Sequence, residues 1–454
     1  MTRLTLALAL ALALSPAAQA EDLLEALNLA RQSDPVVQVA GSAVRSAEEG
    51  VAQARSALLP RIDGTYDFSN SQRNATSLQP PRAGDVNINP QTRSSSDSNS
   101  GGLGLDLTQT IYDHANYTRL RAARAQAARV AADYRSAEQA LIVRVAQAYF
   151  NVLTTEDSLT SSQAEEKAVS RQLDQADQRF EVGLTAITDV HEARARRDGA
   201  VAAAILAANA VDDAKAALSE LTGKNTETVE PVRDEIPLEP PVPADWQAWV
   251  DLALKNSPTL QARKLAEEVA KANIATAKAG HLPSVTSFVS YDDRKTFGDG
   301  IFQTLPFDTD DQSDITTVGL RINVPIFAGF ATRSRVRQAV ADAEISFDQV
   351  EQERRAVTRA TRNAYRAVIA GVSEVQARKQ AQISARSALE ATEAGFEVGT
   401  RTIVDVLLSQ QVLFQAQRDY SQARHNFLLN KLRLKSSAGI VTIADVEEIN
   451  RLLQ

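Results

Sequence analysis

The chain has no cysteine, only four histidines and a single methionine in 454 residues. Without thiols there is no disulfide, thiolate metal site, cysteine nucleophile or lipidated N-terminal cysteine. His114, His191, His281 and His425 stand far apart, without metal-ligand spacing, and read as solvated or partly buried surface residues. No Gly-x-Ser-x-Gly, phosphate loop or His-Glu-x-x-His occurs, and Gly223-Lys224 lacks the rest of a phosphate loop. Nothing here supports an enzyme, a cofactor or a metal. A formal charge of −8 leaves no basic surplus for nucleic acid.

Long apolar runs are also scarce. Arg3, the run Leu4 to Leu14, Pro16 and Ala18-Gln19-Ala20 have the form of a secretory signal peptide over residues 1–20. Val201–Val211, apolar apart from Asn209, is too short for a membrane helix, and no later segment qualifies.

What is present comes twice. Ala30-Arg31-Gln32-Ser33-Asp34-Pro35 aligns with Ala253-Leu254-Lys255-Asn256-Ser257-Pro258. At the same offset Ala57-Leu58-Leu59-Pro60 meets Gly280-His281-Leu282-Pro283. At a slightly shorter offset Phe180-Glu181-Val182-Gly183 matches Phe396-Glu397-Val398-Gly399, and Gly223 matches Gly439. Two repeats, 21–224 and 246–440, are expected around a Pro-rich linker at 225–245, with 441–454 as a C-terminal segment.

Proline is absent from 91–230 and 326–454, and glycine from 113–182, where Ala, Arg, Gln, Glu and Leu dominate. As one helix, 113–182 would be about 105 Å long, which requires side-by-side packing with others. Val406, Leu413, Tyr420, Phe427 and Leu434 form a heptad seam, with Ser409, Ala416, Ala423 and Asn430 between them. A soluble coiled-coil scaffold has the same periodicity.

Four segments instead alternate with period two: about 61–71, 102–112, 284–293 and 315–326. Each has the length of a tilted strand crossing a bilayer, with Tyr112, Tyr117, Phe327 and Phe330 near the ends as an interfacial girdle. A half-buried soluble sheet alternates too. The polar stretches 72–101 and 292–314 are expected to be long external loops. Four strands cannot close a membrane barrel, so copies must combine: two give eight strands and three give twelve.

These residues resemble a known family. Gly399-Thr400-Arg401-Thr402-Ile403-Val404-Asp405-Val406-Leu407 is similar to the signature of the TolC family of outer-membrane ducts, and Ala186-Ile187-Thr188-Asp189-Val190 to its first-repeat counterpart. Ala148-Tyr149-Phe150-Asn151-Val152-Leu153 and Gly280-His281-Leu282-Pro283 match as well. The resemblance spans about 22–440. It implies a mainly α fold with a membrane β-barrel portion: a homotrimer whose four strands per protomer share a twelve-stranded barrel, above a long periplasmic helical barrel. Such a duct sits in outer-membrane lipid and exports drugs or proteins. Its partners are a periplasmic adaptor and an inner-membrane transporter of RND, ABC or MFS type. The alternative is a periplasmic coiled-coil adaptor or scaffold without a pore.

The resemblance also implies a periplasmic gate. Arg401 matches an arginine that bridges to the neighbouring protomer, Thr188 and Asp189 match its partners, and Gln172 and Glu393 match a second linking pair. A guanidinium fork suits such a carboxylate link. The family's tyrosine that bonds to the Asp189 position is Phe396 here, so that link is missing or replaced. Asp405 matches an aspartate ringing the constriction, and Leu408 stands where a second acidic ring would be. A plainer reading of Asp189 and Asp405 remains: an acidic residue in a helix's first turn is favoured by the macrodipole alone. Residues near 181–189 and 397–405 are the implied adaptor-docking surface.

Overall fold

The computed structural model describes residues 21–78, 91–302 and 304–453. The expected signal peptide lies outside them. In chain order the elements are α1 (Leu23–Ser33), α2 (Pro35–Ser56), β1 (Arg61–Leu78), β2 (Gln91–Tyr112), α3 (His114–Glu181), α4 (Ile187–Thr222), α5 (Trp246–Asn256), α6 (Pro258–Ala279), β3 (Ser284–Phe302), β4 (Leu305–Asn323), α7 (Ala331–Glu397), α8 (Ile403–Ser437) and α9 (Ile443–Asn450). Helices α3 and α7 run for 68 and 67 residues without a break. That is about 100 Å each.

Two compact units arise, each drawing on both halves of the sequence. Among the described residues, one holds those up to Arg45, Arg129–Lys264 and those from Asp348 onward; the other holds those within Ser46–Ala128 and Leu265–Phe347.

The second unit carries a four-stranded antiparallel sheet in the order β1-β2-β3-β4. Its register lines up Ile62, Leu107, Val289 and Val318 in one row across all four strands. Directly paired residues share a face, so this row, with Tyr66–Leu103 in β1 and β2 and Val285–Ile322 in β3 and β4, makes a largely apolar band on one side, while the Tyr66–Leu103 row continues into Asp293 and Asp314. Many of these side chains are well exposed in the protomer, Ile62 at 70% and Val318 at 74%. The next row, on the opposite face, is Asp63, Asp106, Ser290 and Thr317.

Of the stretches 72–101 and 292–314, expected from their polarity to be long loops, the described residues 72–78, 91–101, 292–302 and 305–314 are strand, and residues 79–90 lie outside the described residues. Strand pairing continues from Ser69↔Ser100 to Leu78↔Gln91, and β3 and β4 stay paired up to Phe302↔Leu305. Apolar alternation marks only the part of a strand that faces an apolar medium. Beyond it the ladder persists on backbone bonds and polar cross-strand pairs, such as Asn70 to Asn99 at 2.9 Å and Ser69 to Ser100 at 2.8 Å. At the other end β4 stops at Asn323, so Val324 and Ile326 lie past the strand that their alternation suggested.

The first unit is built around a large apolar core including Leu27, Val145, Tyr149, Trp249, Phe427 and Leu432. Equivalent starts open α2 and α6. Asp34 accepts the Val37 N–H at 2.9 Å and Ser257 accepts the Leu260 N–H at 3.3 Å, each just before a proline, which has no N–H to satisfy. Asp34 is almost fully buried and pairs with Arg144 at 3.0 Å. Burial pushes its carboxyl up, but Arg144 and the Val37 and Val36 N–H groups outweigh this and hold it below the ordinary value. The buried Tyr149 hydroxyl donates to the carbonyls of Glu21 (3.0 Å) and Glu230 (2.9 Å), tying the non-helical 225–245 segment to the start of the described chain.

His425 corrects the surface reading of the histidines: it is 3% exposed, stacked on Phe150 and 2.9 Å from the Thr154 hydroxyl. Burial, with Arg424 beside it, pushes it down to about 3, so it stays neutral. The segment 441–454, given no role from sequence, supplies α9, whose Val446 and Ile449 enter the core. Asn450 donates to Asp22 at 2.9 Å and holds the two ends of the described chain together.

Candidate functional site

Within the first unit, two helical turns are constructed alike. At the end of α3, Gly183 takes φ +76°, its N–H donates to Phe180 O at 2.9 Å and Leu184 N–H donates to Arg179 O at 2.8 Å. At the end of α7, Gly399 takes φ +77°, its N–H donates to Phe396 O at 3.1 Å and Thr400 N–H donates to Gly395 O at 2.8 Å. Both are Schellman caps, in which a left-handed residue lets the chain satisfy the last carbonyls and reverse. Any side chain at these two positions would meet the left-handed steric cost.

A small apolar cluster joins the turns. Val169 and Ala176 of α3, Val190 and Ala193 of α4, and Ile403 and Leu407 of α8 are buried together, with Phe396 of α7 packed against them. One core thus holds the ends of all four helices.

The gate residues read from the sequence divide into those the protomer engages and those it leaves free. Asp189, in the first turn of α4, accepts a hydrogen bond from the Thr185 hydroxyl. Thr188 is exposed. Arg401 is exposed, and its guanidinium makes no hydrogen bond or ion pair among the described residues. Gln172 and Glu393 are not joined. Glu393 instead accepts from the buried Gln410 amide at 3.4 Å, and Ser409 donates to Thr392 at 3.3 Å beside it. The carbonyl oxygens of Gln172 and Gln410 are buried without partners among the described residues. Leu408 is exposed at 53%.

Asp405 carries the plainer role in full. It closes a capping box with Thr402, accepting from the Thr402 N–H and hydroxyl and donating its own N–H to that hydroxyl. The Thr402 N–H first, then its hydroxyl and the charge of Arg401 hold the Asp405 carboxyl below its usual value. Asp189 has no such box, because Ala186 occupies the cap position and offers no side-chain acceptor. The spacing Thr402-x-x-Asp405 is the signal that distinguishes them. Sequence reading also passed over Arg179, whose guanidinium lies 4.5 Å from the centre of the Phe396 ring. No sequence motif links these two distant residues.

The chain matches the family described as outer membrane efflux protein over residues 26–224 and 249–440. It belongs to that family. It is 34% identical to outer membrane protein TolC of Vibrio cholerae over 96% of this chain and 95% of that protein. It is 29% identical to the alkaline protease secretion protein AprF of Pseudomonas aeruginosa, over 95% of this chain and 87% of that one. The structure of the Campylobacter jejuni CmeC outer membrane channel superposes with a TM-score of 0.76 at 16% identity, over 96% of this chain and 90% of CmeC. An efflux-family chain is an outer-membrane transport channel, not an enzyme. The pore-less adaptor or scaffold is thereby set aside.

Proposed function

We propose that three copies of this chain form one export duct, gated at the paired turns. The observation that carries this reading is the open sheet, which has an apolar row across all four strands on one face while β1 and β4 remain as edges. In lipid an unpaired edge leaves backbone groups without partners, at several kcal/mol for each group. Three sheets joined edge to edge make twelve strands and a lumen, lined by the face bearing Asp63, Asp106 and Thr317. The two sequence halves, 21–224 and 246–440, are copies of one ancestral unit joined at 225–245, and residues 1–20 are removed on export. The similarly built turns and caps support that duplication.

At the turns, Arg401 of one copy reaches Asp189 and Thr188 of the next. Its freedom within the protomer supports that role, since a guanidinium already committed could not bridge outward. A partly exposed link of this kind contributes about 0–1 kcal/mol, weak enough for a gate that must open. Three Asp405 carboxylates line the mouth and favour cations, and Leu408 adds an apolar ring. Val182, Leu184 and Val398, exposed at the turns, suit a periplasmic adaptor that couples the duct to an inner-membrane transporter of RND, ABC or MFS type.

Single-channel conductance in a planar bilayer tests the reading. Purified protein is expected to show a small stable conductance that rises several-fold in Arg401→Ser. A well-folded oligomer that conducts nothing in either form would refute the duct.

A further inference from the structure

We propose that Arg179 is itself a gate residue. Stacked on the ring of Phe396, it fastens the first helical pair (α3 and α4) to the second (α7 and α8). The proposal rests on the gated-duct reading above and assigns it a fastening inside each protomer.

The contact has the geometry of a cation on an aromatic face. The guanidinium carbon is 4.5 Å from the ring centre, inside the roughly 6 Å reach of such interactions. Among the described residues the guanidinium makes no hydrogen bond or ion pair, so the ring is its recorded partner. Phe396 is anchored in turn, packed against the cluster of Val169, Ala176, Val190, Ala193, Ile403 and Leu407. The planar, weakly hydrated guanidinium suits a half-buried ring better than an ammonium would.

Position gives the contact leverage. The Arg179 carbonyl accepts the Leu184 N–H of the first turn, and the Phe396 carbonyl accepts the Gly399 N–H of the second. One side-chain contact therefore ties together the residues that close both turns. Other polar contacts between the pairs, Arg196 to Gln411 at 3.0 Å and Arg418 to Glu165 at 3.2 Å, lie further along the helices. The contact needs no hydroxyl at position 396. The rival account is that Arg179 merely complements the α3 dipole from its last turn. That account predicts no dependence on the ring.

The test is a double-mutant cycle read as opening of the reconstituted full-length oligomer in planar bilayers. It compares wild type, Arg179→Ala, Phe396→Leu and the double variant, with Arg401→Ser as reference. Arg179→Ala and Phe396→Leu are each expected to raise opening about two- to fivefold, and the double variant no further than the larger single. Arg179→Lys should fall between wild type and Arg179→Ala. Arg179→Gln replaces the alanine variant if that fails to assemble. If Arg401→Ser opens the channel while the Arg179 variants stay at the wild-type level, or if the two single effects simply add, the proposal is overturned and the gate reading stands. If Arg401→Ser also changes nothing, the gate reading falls and takes the proposal with it.

Discussion

Thr402 and Asp405 hold each other at the start of α8: the Asp405 carboxylate accepts the Thr402 N–H and hydroxyl, both at 2.9 Å, and the Asp405 backbone N–H donates to that hydroxyl at 3.2 Å. Both bonds from Thr402 land on one oxygen, Oδ2, and the other is free to meet ions. The same carboxylate can therefore start a helix and line a mouth.

The first prediction follows from that pairing. Because its carboxyl is held below the ordinary carboxylate value, Asp405 stays charged at neutral and mildly acidic pH. Cation preference, read as a reversal potential in a salt gradient, should stay flat from neutral pH down to about 5 and fall only below about 4. Asp405→Asn should lower the permeability ratio at neutral pH by on the order of twofold. Thr402→Val removes the hydroxyl that supports the charge, so its loss of preference should begin at a higher pH. An unchanged reversal potential in Asp405→Asn would end the ring assignment.

A second prediction concerns the two faces of the sheet. Val318 lies on the apolar face and Thr317 on the polar one. Arginine at Val318 should destabilise the membrane-inserted oligomer by about 2–4 kcal/mol, while arginine at Thr317 should cost little. Heat-modifiable mobility of the two variants gives the comparison. Equal losses would mean that the register does not separate lipid from lumen.

Asp34 provides the third, in the helical unit. Its folded-state value is depressed by Arg144 and two backbone N–H groups despite burial. A depressed acid contributes stability above its unfolded value, near 3.9, and that contribution disappears as pH falls through the folded value. Asp34→Ala, which removes both the cap and the partner of Arg144, should cost about 1–3 kcal/mol at neutral pH. Asp34→Asn should flatten the acid side of the thermal midpoint against pH. A midpoint for Asp34→Ala equal to wild type at pH 7 would contradict this account.

Much of the fold was legible in the chain because the signals are local. Absent proline and glycine mark the long helices, and paired glycines mark their ends through a backbone preference that needs no partner. The apolar row Ile62, Leu107, Val289 and Val318 is readable as four separate alternations. Its alignment into one face is a matter of register. The polar ends of the strands were not legible, since a residue paired in water carries no hydropathy signature.

The sequence alone determined the helical stretches, the four apolar alternations and the carboxylates at the turns, because periodicity and backbone preference act over a few residues. Only the tertiary structure decided that Glu393 takes its hydrogen bond from Gln410, that Arg179 covers Phe396, and that Asn450 meets Asp22. Most of these contacts join residues far apart in the chain, and such contacts form only when the helices carrying them pack side by side.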